Sequence, residues 1–253
     1  MEKVEPKPTS DIVTRVGAID LLRALTMVLM IFVNDLWSLK DIPVWLEHVG
    51  RGVDGIGLAD VVFPAFLFIV GMSLPFAIDS RRAKGDSDLQ LVGHVIGRSI
   101  ALLVMGVFFV NGETINAGAT GMTALVWDAV CSVAFILIWN AYPKTMPQWG
   151  QWGLKATGIV ILLVLAFIYR GGEDGNLERF APHWWGILGL IGWAYLVAAL
   201  VTIFARGRLA ILASAWATFS LLSLAWAAGL VPAPLHIIPE PIIDGTMTAL
   251  SLG

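Results

Sequence analysis

The chain has 253 residues, 57% of them hydrophobic and 14% charged, with a net charge of −3 and a mean hydropathy of +0.79. That leaves too little polar surface to cover a soluble domain, and no cluster of Lys and Arg interleaved with aromatics suits a nucleic acid. The single cysteine, Cys131, allows no internal disulfide, and no Cys/His spacing suits zinc, so no metal is expected.

The apolar residues fall in unbroken runs of about 20, long enough to cross a bilayer. Backbone groups in lipid must pair internally, and runs without alternation read as helices, not barrel strands. In chain order the expected spans are Ile19–Leu39, Gly57–Ile78, Leu91–Val110, Ala124–Tyr142, Gly153–Tyr169, Trp185–Ala205 and Leu209–Leu230. The fold class is therefore all-α, a polytopic transmembrane helix bundle of about seven spans forming one domain over residues 1–253. The first run closes on Asn34 and Asp35 without a small-residue cleavage site, which is not how a signal peptide ends. The third begins with His94 and Arg98, and the fourth holds Asp128. The last residues, "TMTALSLG", read as the start of a further span, so the chain is expected to be the amino-terminal portion of a longer bundle.

Lys and Arg set the orientation. Alternate loops and span ends, counted from the amino terminus, hold 12 of the 16: Lys3, Lys7, Arg15, Arg23, Arg81, Arg82, Lys84, Arg98, Lys144, Lys155, Arg206 and Arg208. The amino-terminal segment 1–18 is thus expected to be cytoplasmic, with the loop 40–56 and the tail 231–253 outside. Trp149, Trp152, Trp184 and Trp185 sit at span ends, as interfacial aromatics do. Gly186, Gly189 and Gly192 recur every third residue and favour close helix packing.

The outer loop and its borders carry the reactive-looking residues. His48 lies a few residues before the second span, and histidine takes and returns protons near neutral pH. Asp60 sits at the outer end of that span. A carboxylate there either caps the helix or orients His48 as the acid of a triad does. Asn34 closes the first span on the same side, where an amide can donate to a developing oxyanion. Arg51 and Asp54 are loop charges able to grip a substrate, and the glycines at 50, 52, 55 and 57 allow a ligand close to the backbone. Asp244 and His236, in the tail, could border the same cavity. On the inner side Asp20 and Arg23 are one turn apart and able to pair, while Arg23 and Arg98 suit the phosphates of a cytosolic cofactor. Asp128 is a lone intramembrane acid and so a site candidate by position.

The segments "RVGAIDLLRALTMVLMIFVN", "WLEH", "GLADVVFPAFLFIVGMSLPFAI" and "HWWGILGLIGWAYLVAAL" together resemble bacterial membrane proteins related to the catalytic domain of heparan-α-glucosaminide N-acetyltransferase. That resemblance implies a multi-helix bundle that takes acetyl-CoA from the cytosol and delivers the acetyl group to a glucosamine amine on the far side. It implies His48 as the key catalytic residue, with Asn34 and Asp60 as its companions. Two departures stand out. "GRGVDG" follows the histidine where the enzyme has Trp-Asn-Gly, which bears on the acceptor, and Ala24 follows Arg23 where the family has glycine.

The expectation is a transmembrane acyltransferase in the bacterial inner membrane. His48, Asp60 and Asn34 are its catalytic residues, Arg23 and Arg98 its cofactor contacts, and Asp54, Arg51 and Asp244 its substrate contacts. Acetyl-CoA is the acyl donor. The partners are a sugar or glycan acceptor, membrane lipid and a second copy of the chain in a homo-oligomer. The rival readings are a permease for a small polar or lipid-linked solute, with Asn34, Asp60 and Asp128 along its path, and a non-catalytic membrane scaffold.

Overall fold

The computed structural model describes residues 17–36, 39–50, 53–173, 176–183 and 186–230. Among them the fold is all-helical: α1 (Gly17–Asp35), a 3-10 turn (Val44–Leu46), α2 (Leu58–Ala83), α3 (Asp88–Glu113), the one-turn α4 (Ala117–Thr120), α5 (Ala124–Trp139), α6 (Gln148–Ile168), α7 (Ile187–Ala205) and α8 (Leu209–Ala227). Extended structure is limited to isolated bridges of Gly171 with Ile115 and Glu178.

Six of these helices, α1, α2, α3, α6, α7 and α8, are long and apolar enough to span a membrane. The remaining expected span, the fourth, is α5 and has 16 residues, or about 24 Å of helix against a hydrocarbon core of about 30 Å. Large apolar side chains face outward: Leu21 is 72% exposed and Phe167 82%. Such a surface is a liability in water but costs nothing against lipid tails. The chain is a multi-pass membrane protein.

Local chemistry moves several ends from where hydropathy places them. The third span starts at Asp88, three residues early, because Ser87 and Gln90 form a reciprocal cap. The Ser87 N–H donates to Gln90 Oε1 at 2.8 Å, and the Gln90 N–H donates to Ser87 Oγ at 3.4 Å. The fourth stops at Trp139 instead of Tyr142, since Asn140 is extended at φ −64 and ψ 146 and Pro143 follows. The fifth begins at Gln148, directly after Pro147, so Trp149 and Trp152 belong to its first turns. Within α2, Pro64 has no N–H to donate to the Asp60 carbonyl four residues back.

The chain forms two compact units. The first holds α1, the loop after it, α2, the start of α3, the end of α7 and most of α8. Its core joins Val33 and Leu36 near the end of α1 to Ala59 and Val62 at the start of α2, with Ile42 and Leu46 of the connecting loop folded over them. α1 and α2 therefore run antiparallel, and the described loop residues 39–50 and 53–57 lie at their shared end. At the other end of α2, Arg82 donates to Asp88 Oδ1 at 3.0 Å and to the Ile203 carbonyl at 2.7 Å, and Arg206 donates to Asp88 Oδ2 at 2.6 Å.

The second unit holds the rest of α3, α4 to α6, the start of α7 and the end of α8. Phe108, Trp127, Cys131, Phe135, Leu162 and Leu165 fill its core, and the Trp127 indole N–H donates to the Phe108 carbonyl at 2.8 Å. The glycine stripe does pack helices. A Cβ added at Gly106 of α3 would lie 2.7 Å from the Gly189 nitrogen of α7, one at Gly192 would lie 3.1 Å from Leu103 Cγ, and one at Gly186 would run into Val110.

Candidate active site

The loop before α2 is fastened by one carboxylate. Asp60 is the third residue of α2, three past the N-cap Gly57. Its Oδ2 accepts from the Gly57 N–H at 2.9 Å and from the Val49 N–H at 3.1 Å. Its Oδ1 lies 2.7 Å from His48 Nδ1. An acidic group at this position also answers the orphan N–H groups and the positive end of the helix. The sequence left Asp60 between a helix cap and a histidine orienter; in the structure one side chain makes the contacts of both.

The pairing fixes how the imidazole can be protonated. An ionised carboxylate only accepts hydrogen bonds, so Nδ1 must donate. A neutral ring held this way carries its free lone pair on Nε2. The His48 side chain is 56% exposed against 30% for Asp60, and its ring makes no second hydrogen bond among the described residues. A carboxylate that holds Nδ1–H and leaves Nε2 open is the arrangement by which an acid sets a catalytic histidine's tautomer.

Beside His48 lies a recess of about 250 Å³, lined by Val33, Leu36, Leu39, Ile42, Leu46, Glu47, His48 and Ala59. Its lining side chains are aliphatic except for those of Glu47 and His48. Glu47, to which the sequence reading gave no role, makes no side-chain hydrogen bond or ion pair among the described residues. Nothing in the sequence marked it, because a loop acid beside a histidine is common and only the folded loop shows that both border one hollow.

At Gly57 packing itself requires a glycine. A Cβ at position 57 would overlap the Glu47 carbonyl oxygen and sit 3.5 Å from Asp60 Oδ2. The residue before His48 is thus packed against the bare Cα of the α2 cap.

The other expected residues are placed as follows. Asn34 is exposed in the last turn of α1, at the same end of the hairpin as His48. Successive helix positions are about 100° apart, and since Val33 and Leu36 face the recess, Asn34 does not line it. Asp54 is exposed in the same loop and unpaired among the described residues. Arg23 donates to Asp20 at 3.3 Å, the one-turn pair expected of them. Arg98 lies with Cζ 5.3 Å from the centre of the Tyr195 ring, a cation–π contact. Neither arginine lines the recess. Asp128 is partly buried, and its Oδ1 has no hydrogen-bond partner among the described residues. Arg51, Asp244, His236, Trp184 and Trp185 lie outside the described residues. Among the described residues no group of three or more His, Cys, Asp or Glu is placed to hold a metal ion.

A family model described as a domain of unknown function, DUF5009, matches residues 15–211. Over 111 residues the chain is 34% identical to heparan-alpha-glucosaminide N-acetyltransferase of Mus musculus, a match covering 42% of this chain and 16% of the mouse protein. Over 101 residues it is 33% identical to the Homo sapiens protein of the same name, covering 38% and 14%. The chain thus spans about a sixth of the length of these curated relatives. No solved structure matches.

Proposed function

We propose, from the premise that the chain belongs to the DUF5009 family, that it is a transmembrane acyltransferase carrying an acetyl group from cytosolic acetyl-CoA to an amino sugar or glycan on the far face of the membrane. The observation that carries this reading is the His48–Asp60 contact at 2.7 Å beside a recess. The relatives' name, an N-acetyltransferase, supplies the reaction class.

The membrane is the bacterial cytoplasmic membrane and the amino terminus is inside. Arg81, Arg82 and Arg206 lie at the end of α2 away from Asp60, roughly 33 Å along the helix, and positive charge collects on the cytoplasmic side. His48 then faces outward.

An acyl-CoA thioester supplies an acyl carbon open to attack. The recess suits the acyl end of such a donor, while a volume of about 250 Å³ leaves the nucleotide to lie elsewhere. His48 Nε2 takes the proton of the acceptor amine as its nitrogen bonds the acyl carbon. The C–S bond breaks, and the proton passes from His48 to the departing thiolate. Asp60 keeps Nδ1–H engaged throughout and steadies the imidazolium. Glu47 and Asp54 are the acids open to the acceptor. Asn34, turned from the recess, is assigned no step.

Purified protein in nanodiscs, given radiolabelled acetyl-CoA and a panel of amino sugars, tests the reading. Label moves to an amino sugar with the native chain and not with His48→Ala of equal helical content. Full transfer by His48→Ala contradicts the reading. Label trapped on His48 without acceptor would separate a two-step route from direct transfer.

A further inference from the structure

We infer that the recess beside His48 is an acyl-chain pocket, so that acetyl is not the largest acyl group this site carries and donors of up to about eight carbons fit. The inference rests on the acyltransferase reading and concerns what the donor brings.

Volume comes first. An apolar cavity of about 150 Å³ holds benzene, six heavy atoms, so a recess of about 250 Å³ takes roughly ten on the same scale. An acetyl group has three. Placed with its carbonyl carbon against His48, it would leave most of the hollow unfilled.

The lining decides what fills the rest. Val33, Leu36, Leu39, Ile42, Leu46 and Ala59 bring aliphatic side chains to the lining. A sugar ring pressed among those side chains would surrender water hydrogen bonds that they cannot replace. A methylene chain loses nothing there. The two polar residues, Glu47 and His48, are neighbours in sequence, so the acceptor belongs beside them and the tail of the acyl group among the leucines. The bond changes are those already given, whatever the chain length: carbon–nitrogen forms, carbon–sulfur breaks, and His48 passes the proton to sulfur.

Transfer is measured for acyl-CoA donors from acetyl to dodecanoyl, with the native chain in nanodiscs and one amino-sugar acceptor. Each added methylene raises kcat/KM about fourfold up to roughly octanoyl, through KM with kcat nearly constant, and longer donors lose the gain. Ile42→Trp narrows the pocket and lowers the octanoyl-to-acetyl ratio of kcat/KM at least tenfold, while Leu46→Ala moves the optimum to longer chains. Both effects are ratios within one sample, so a loss of folded protein cancels. A decline with every methylene beyond acetyl overturns the inference, as does a ratio that Ile42→Trp leaves unchanged, or a length preference that follows an alkyl group on the acceptor instead of the donor. No transfer from any donor by the native chain would instead overturn the acyltransferase reading itself; transfer from acetyl alone overturns only the pocket.

Discussion

Two clusters of polar side chains lie where helices meet loops, one in each unit, and they are finished differently. In the second unit Asn111 is fully buried and donates to the carbonyls of Val107 at 2.7 Å and Ala181 at 2.9 Å. Tyr169, 1% exposed, shares a 2.9 Å hydrogen bond with Thr114 Oγ1. Those groups face inward and their partners are backbone or each other, so the cluster holds loops to helices and offers nothing to a ligand. In the first unit Asp60 is equally well bonded, with three partners, yet the last of them is an imidazole whose other nitrogen is left open. A polar cluster that is closed on itself stabilises the fold, whereas one that ends in a half-exposed histidine beside a hollow leaves a group free to act on something else.

Substitutions in the two clusters should separate these roles. The largest effect is expected from Asp60→Asn. An amide can donate to Nδ1 and hold the wrong tautomer, so kcat falls on the order of 10³-fold in a steady-state transfer assay, while helical content is kept. Gly57→Ala comes next. The added methyl displaces the Glu47 carbonyl and with it His48, and a shift of that kind lowers kcat on the order of 10- to 100-fold. Equal loss of activity in Gly57→Ala and in a glycine change remote from the loop, such as Gly153→Ala, where an added Cβ meets nothing within 4 Å, would argue that the loop's geometry is not what matters.

Asn111→Ala is the converse case. It removes the bonds to the carbonyls of Val107 and Ala181 and leaves the Ala181 N–H, which donates to Asn111 Oδ1 at 3.4 Å, without that acceptor, costing about 1–3 kcal/mol, seen as a lower Tm in detergent with kcat per folded molecule unchanged. A drop in kcat without a drop in Tm would place Asn111 in the chemistry and undo the contrast between the clusters. The smallest effect belongs to Arg206→Ala. This arginine is mostly exposed, and such pairs contribute little and are screened by salt, so Tm and transfer stay within error of the native chain.

The helices were legible because lipid leaves a chain few choices: an apolar run of the right length has to satisfy its own backbone. What hydropathy missed were ends fixed by single polar residues, such as the Ser87–Gln90 cap that starts α3 early and the extended Asn140 that stops α5 short. In the site, the meeting of His48 with Asp60 could be anticipated from a histidine and an acid flanking one short loop. The recess could not, because its lining is ordinary leucine and valine whose facing depends on helix rotation. The same rotation turns Asn34 away from a wall that its neighbour Val33 helps to form. Gly57 was legible as a glycine but not as a contact, since its partner, the Glu47 carbonyl, is ten residues away in sequence and adjacent only once Asp60 has drawn the loop in.

The claim on which the rest depends is that Asp60 holds the His48 proton on Nδ1 and leaves Nε2 bare. Nitrogen-15 NMR of imidazole-labelled protein in nanodiscs, recorded where the ring is neutral and assigned by comparison with His48→Ala, reads this directly. The account predicts a protonated Nδ1 and an unprotonated Nε2 for His48, a preference lost in Asp60→Asn. A proton resident on Nε2 in the native chain would contradict it.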